Sequence, residues 1–171
     1  MTKTPVLDDE RTELLGALAK HRGFLLHTVE GLTDEQIRLR PTASALCLGG
    51  LVKHVSRVES RWVDFIVRGA VAMEMTESSY AEHAASFELS EGETLGDILT
   101  AYDKVAQRTA DVVAALPDLA LAQPLPEAPW FELGAAWSAR RTLVHIIAET
   151  AQHAGHADII RETIDGQRTM G

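Results

Sequence analysis

Four stretches of this chain carry apolar residues at the spacing of an α-helix, and that repetition restricts the fold more than any other feature. In the first, roughly Leu7 to Glu30, residues Leu14, Leu15, Leu18, Leu25, Leu26 and Val29 recur at helical spacing. Gly31 stands where a left-handed residue ends a helix. The segment "TDEQIRLRP" then offers a Thr33-x-x-Gln36 capping box, one or two turns, and a stop at Pro41. The second stretch is roughly Leu48 to Arg68. Its stripe is Leu51, Val55, Val58, Trp62 and Phe65 or Ile66, with Gly49 and Gly50 at the start and Gly69 at the end. The third, roughly Leu95 to Leu116, opens on Thr94 as cap with Asp97 as the reciprocal carboxylate, and Pro117 follows it. The fourth begins after Ser138, a good N-cap, and ends near Ile164, with Gly166 at the C′ position.

Two connections are long. Residues 70–93 are polar and acidic without a clear period, and predict at most short helical turns. The segment "LALAQPLPEAPWFELGAAW" holds three prolines and two tryptophans and predicts a surface wrap. Connections of this length inside a compact domain are often functional. Four helices, few strand signals and no repeat predict an all-α four-helix bundle, one domain over residues 1–171, with two long connections.

Composition narrows the class of partner. Apolar residues make up 46% and charged residues 24%, which suits a folded core rather than disorder. A net charge of −9 opposes nucleic-acid binding, which depends on Lys and Arg neutralising phosphates, and equally opposes an anionic membrane surface. No run approaches the roughly 18 apolar residues of a membrane span, and the N-terminus has no signal-peptide core. The lone Cys47 cannot form an internal disulfide. Together these predict a soluble, cytoplasmic protein.

The fourth helix raises the functional question. Its "LVHIIAETAQHAGHADIIRE" carries His145, Glu149, His153 and His156 in a stretch that otherwise reads as core. At about 100° per residue, Glu149 lies about 40° from His145, His153 about 80° and His156 about 20°. The four share a stripe flanked by Leu143, Ile146, Thr150, Ala154 and Ala157. A carboxylate facing a bundle needs a cation, a donor or a metal. Bundle metal sites are commonly built from carboxylates and histidines three or four apart on one helix and completed from another. Glu149 and His153 have that spacing, and His54, at the edge of the second helix's buried face, is a candidate third ligand. Each also has a plainer reading: a chance Glu-x-x-x-His pair, and a half-buried, hydrogen-bonded His54. His21, His27 and His83 read as surface or packing residues. Cys47 reads as a packing residue. Arg140 and Arg141 read as a solvated helix start, although cations there oppose the helix dipole and leave an anion-binding role open.

Two motifs, "GGLVKHVSRVESRW" and "WSARRTLVHIIAETAQHAGHADIIRETIDG", resemble the DinB-like superfamily of four-helix-bundle metalloproteins, and the resemblance runs from about residue 8 to 168. Most DinB-like proteins use one histidine of the second helix and a His-x-x-x-His pair of the fourth. Here Glu149 occupies the first place of that pair, as in the mycothiol-dependent branch of maleylpyruvate isomerases and mycothiol S-transferases, whose ligands are His, Glu and His. The resemblance therefore implies His54, Glu149 and His153 as metal ligands, and single-domain S-transferases as the nearest type. His156 falls outside the ligand set and is the candidate catalytic group acting on bound substrate. His145, about 12 Å along the axis from His153, cannot share a metal with it, and would be a ligand only if Glu149 and His145 were the pair.

Two imidazoles and a carboxylate would leave a divalent ion, zinc first, with nickel, iron or manganese as other candidates, an open coordination position. The implied reaction is attack of a metal-bound thiolate, from a low-molecular-weight thiol such as mycothiol, on an electrophile. The partners are thus a small thiol and an electrophilic substrate, and a homodimer is left open. Trp130, Phe131 and Trp137 in the long connections are expected to wall the cleft. Three other readings share these residues: thiol-dependent isomerisation, non-haem iron chemistry on a facial triad, and a non-catalytic metal-binding or dimerising bundle.

Overall fold

In the computed structural model, which describes residues 9–74, 81 and 85–169, the four helices form where the apolar stripes place them. Helix α1 spans Asp9–His27, α2 Leu48–Arg68, α3 Leu95–Ala115 and α4 Ala139–Asp165. His83 lies outside the described residues. Helix α2 packs between α3 and α4, and α1 lies along α4, so the fold is an all-α bundle with two long connections.

The caps follow their chemistry. The Thr94 hydroxyl accepts from the Asp97 amide while the Asp97 carboxylate accepts from the Thr94 amide, a complete capping box. Ser138 Oγ accepts from Arg141 N at 3.1 Å, and Gly166 ends α4 in the left-handed region. The Thr33–Gln36 box also forms, but over a single 3-10 turn at Gln36–Arg38. Helix α1 stops three residues short of Glu30. The amides of Thr28, Val29 and Glu30 switch to carbonyls three residues back, tightening the exit before Gly31.

The 117–137 connection holds more order than its three prolines predict. β1 (Ala122–Pro124) pairs antiparallel with β2 (Ala136–Ser138), in the register Ala122 to Ser138, Gln123 to Trp137 and Pro124 to Ala136. Three-residue strands carry too little alternation to be read from sequence. This ribbon anchors both ends of a loop, residues 125–135, above the bundle.

The core is divided into two apolar clusters. One holds Leu25, Val55, Tyr102 and Ala154; the other holds Leu18, Trp62, Val113 and Ile146. Between these two sets, each helix carries a polar residue at the same level: Arg22, Glu59, Thr109 and Thr150. Glu59, Thr109 and Thr150 are completely buried. Arg22 grips Glu59 with two guanidinium N–H groups, Nε donating to Oε2 at 2.9 Å, and the Thr109 hydroxyl donates to the same carboxylate. Thr150 satisfies itself by donating to Ile146 O at 2.8 Å. Burial, with the Glu59 charge second, raises the neighbouring Tyr102 phenol above its ordinary value.

Removing one partner of a buried pair leaves an uncompensated charge. Arg22→Met should therefore lower stability by about 3–5 kcal/mol, seen as a fall in the urea midpoint with an unchanged slope. The double variant Arg22→Met/Glu59→Leu should recover most of that loss, since no buried charge remains. Equal loss in both would show that the pair itself holds the helices.

Candidate functional site

His54 enters from α2, five residues before Glu59, and is 3% exposed. Glu149 and His153 enter from α4 across the α2–α4 contact. The His54 and His153 rings meet edge to face with centroids 5.0 Å apart. Glu149 stands between two imidazoles of its own helix. His153 Nε2 lies 3.7 Å from Glu149 Oε2, and His145 Nε2 lies 3.7 Å from Oε1. The structure thus brings His54, Glu149 and His153 together and adds His145 on the far side of the carboxylate.

The electrostatics suit a ligand set. His153 facing the carboxylate lowers the Glu149 pKa, burial opposes this, and the charges of His145, His153 and His54 lower it further, so Glu149 is ionised at neutral pH. Burial pushes the His145 pKa down, against the pull of Glu149, so its imidazole is neutral there. His153 Nδ1 is buried with no hydrogen-bond partner among the described residues, and a metal on Nε2, the nitrogen that faces Glu149, would not satisfy it.

A metal can be tested against this geometry. Two ligand atoms at about 2.0–2.1 Å on a tetrahedral centre stand about 3.3 Å apart. The 3.7 Å between Glu149 and His153 is longer than a hydrogen bond and close to that separation. Among the described residues, no group of three His, Cys, Asp or Glu side chains is placed to hold a metal ion, so His54, Glu149 and His153 would have to close in to share one. The donor chemistry of these three fits a borderline divalent ion.

The cleft, about 890 Å³, has His54 and Glu149 in its lining. Val58, Arg61 and Trp62 of α2 form one wall, Met73 and Glu74 a second, and Pro126 to Phe131 a third. Arg61 ties the second wall to α2 by donating to Met73 O at 3.0 Å and Glu74 O at 3.3 Å. Trp130 and Phe131 line the cleft as expected. Trp137 does not. It stacks behind Trp62 at 4.9 Å, with its other face under the Arg141 guanidinium, and His145 meets both indoles edge-on. Trp62 reads in sequence as an ordinary core position, and only the packing shows it as a wall. His156 lies beyond His153, rings 5.5 Å apart, with Nδ1 buried and unpartnered, and it is not among the cleft-lining residues.

Of the other candidates, Arg140 pairs with Glu10, while His27 Nδ1 lies 2.9 Å from Glu30 and His21 packs on Phe24. Cys47 is buried beside the Phe87 carbonyl, as a packing residue would be.

Sequence reading missed the support behind His54. Residues 85–93 lie against the start of α2, where Ser86 Oγ is 2.9 Å from His54 Nδ1 and the Phe87 ring stacks on the imidazole at 3.7 Å. The two glycines explain this approach. A Cβ on Gly50 would stand 2.0 Å from Phe87 O, and one on Gly49 would stand 2.5 Å from Leu89 Cδ1. Lys53 holds the segment by donating to Glu93 Oε2 at 2.7 Å and Glu88 O at 3.1 Å, and Arg38 donates to the carbonyls of Leu89, Ser90 and Glu93. The adjacent Gly-Gly pair was the available signal, but its partner lies nearly forty residues away.

The fold defines a class: a four-helix bundle of the DinB-like type, with a histidine of the second helix facing a Glu-x-x-x-His pair of the fourth. A family model described as mycothiol-S-transferase matches residues 13–166. The chain belongs to that family. Among solved structures, a conserved protein from Enterococcus faecalis superposes with a TM-score of 0.66 at 12% identity, covering 91% of this chain and 97% of the other, which is a likeness of fold. No curated protein matches the chain. No helix among the described residues is long and apolar enough to cross a membrane.

The clamp on residues 85–93 makes a measurable prediction. Burial raises the Glu93 pKa, but Lys53 and the Ser90 amide outweigh that and hold it below its ordinary value. A depressed carboxyl contributes stability above its unfolded pKa, about 4.3, and loses it as pH falls through the lower folded value. Protection of the 85–93 amides, measured against their intrinsic exchange rates at each pH, should therefore fall on acidification through that range. Glu93→Gln should show the same loss of protection at neutral pH, with α4 unchanged.

Proposed function

We propose that this protein conjugates a low-molecular-weight thiol, mycothiol by family, to an electrophile, using a divalent metal held by His54, Glu149 and His153. The observation that carries the reading is the ionised Glu149 beside His153, with Glu149 and His54 both lining the cleft. Family membership supports the transferase class and the thiol. A divalent ion in such a set, zinc first, lowers the pKa of a thiol that reaches it, so that the thiol is ionised near neutral pH.

The rest is supplied by the chain. The neutral His145 faces the Glu149 oxygen turned away from His153 and restrains that carboxylate. Trp62, Trp130 and Phe131 offer flat apolar surface to the electrophile and exclude water around the reacting atoms. Glu74 and Glu127, both exposed at the cleft, disfavour anionic substrates. His156, beyond His153 and outside the cleft lining, acts through its neighbour His153 rather than on the bound substrate.

Elemental analysis should find one divalent metal per chain, lost in His54→Ala, Glu149→Ala and His153→Ala. Full occupancy in those variants overturns the ligand set. Chelation should lower the melting temperature without loss of helical circular dichroism, because two apolar clusters hold the bundle unaided. His156→Ala should keep the metal and lose turnover; lost metal would make it a ligand.

Catalysed conjugation should already be near its plateau around pH 7. The uncatalysed reaction should keep rising about tenfold per pH unit up to the free thiol's own pKa, about 8.5. A metal-loaded protein without turnover on mycothiol, bacillithiol or glutathione would remove the transferase reading.

A further inference from the structure

The geometry points to Ser86 as the positioning residue of the site: its hydroxyl holds His54 in the tautomer that carries the proton on Nδ1, which turns Nε2 to the cleft. The inference rests on the proposed role of His54 as a ligand. It goes further by assigning a function to residues 85–93, which the ligand set does not use.

The contact is built rather than incidental. His54 and Ser86 are both almost fully buried, at 3% and 1% exposure, and Nδ1 and Oγ are 2.9 Å apart. A neutral imidazole has one N–H and one bare nitrogen, and its ligand nitrogen is the bare one. The Ser86 hydroxyl can accept from Nδ1–H or donate to a bare Nδ1; with Nε2 turned to the cleft as the ligand nitrogen, the proton sits on Nδ1 and donates to Oγ. His54 lines the cleft and its ring meets that of His153, so Nε2 faces the side on which Glu149 stands. Phe87, stacked at 3.7 Å and 19° to the imidazole, removes the remaining freedom to rotate.

The turn that carries both groups reaches His54 because Gly50 has no side chain. A Cβ there would sit 2.0 Å from the Phe87 carbonyl oxygen and 2.6 Å from its carbon, a backbone clash that no side-chain movement relieves. Gly50 is four residues, about one helical turn, before His54. The "GGLVKH" motif is therefore one device: the glycine admits the turn, and the turn orients the histidine one helical turn later.

The test compares wild type, Ser86→Ala, Ser86→Thr, Gly50→Ala and His54→Ala as full chains. Zn²⁺ affinity is read by competition with a chromophoric chelator. The His54 tautomer in the metal-free protein is read from its side-chain ¹⁵N chemical shifts. Removing a partner that orients a metal ligand typically costs 10–100-fold in affinity. Ser86→Ala should show that loss and a mixed tautomer, with only a few degrees' fall in the metal-free melting temperature from the lost buried hydrogen bond. Ser86→Thr, which keeps the hydroxyl, should restore both. Gly50→Ala, if it folds, should resemble Ser86→Ala although Ser86 is present.

Ser86→Ala with wild-type affinity and a pure Nδ1–H tautomer overturns the inference while leaving the ligand set intact. Wild-type affinity in His54→Ala, or no Zn²⁺ binding by the wild type, overturns the ligand reading instead. In that case the tautomer shifts still decide whether Ser86 orients the ring.

Discussion

The bundle is organised around one buried carboxylate. Glu59 is wholly removed from water on α2, and its cost of desolvation is offset by the Arg22 guanidinium of α1 and the Thr109 hydroxyl of α3. Apolar stripes slide past one another at little cost, because hydrophobic burial has no direction. A bidentate pair does not slide. It fixes the heights of α1, α2 and α3 relative to one another, and the two apolar clusters then close on either side. Fixing α2 also fixes His54, five residues earlier on the same helix.

Helix α4 is set by other means. Arg161, 4% exposed, donates to Thr28 O at 3.0 Å and Glu30 O at 2.9 Å, satisfying the carbonyls left over where α1 ends. Arg11 of α1 does the same for α3, donating to Val113 O at 3.2 Å and Leu116 O at 2.8 Å. The helix ends are thus tied to neighbouring helices by guanidinium groups, while the middle is locked by Glu59. Glu149 and His153 stand on α4 close to Thr150, its residue in that locked layer. A rigid level in the scaffold lies directly beside the groups that must meet with ångström accuracy.

The connections have the opposite character. Each contributes a wall or a support to the cleft, and each is held by a few polar ties: Lys53 and Arg38 on 85–93, Arg61 on 73–74, and the short β-ribbon under 125–135. A bundle's own surface is convex, so a concave site has to be made by adding segments to it. Here Trp62 of the bundle faces Trp130 and Phe131 of a loop. The helices carry His54, Glu149 and His153, and the loops complete the cleft beside them.

Much of this was legible in the chain. The second helix runs from Leu48 to Arg68 as its stripe predicts, and the Thr94–Asp97 box and the Ser138 and Gly166 caps form where their chemistry places them. These are local facts, set by residues three or four apart. The pairing of Glu149 with His153 was legible for the same reason, and His54 was a candidate from its place at the edge of the second helix's apolar stripe, reinforced by the family resemblance. The rest depended on residues far apart in sequence. Ser86 and Phe87 carry no motif, and Gly50 shows its purpose only once the Phe87 carbonyl is seen beside it. Trp62 resembles any core tryptophan until a loop leaves a space over its face. The β-ribbon joins residues on either side of a long loop. A helix announces itself because its hydrogen bonds and its side-chain neighbours are local. Which helix meets which, at what height, and which loop closes over the gap are settled by packing and by a few long-range polar pairs, and those have no period for a sequence to display.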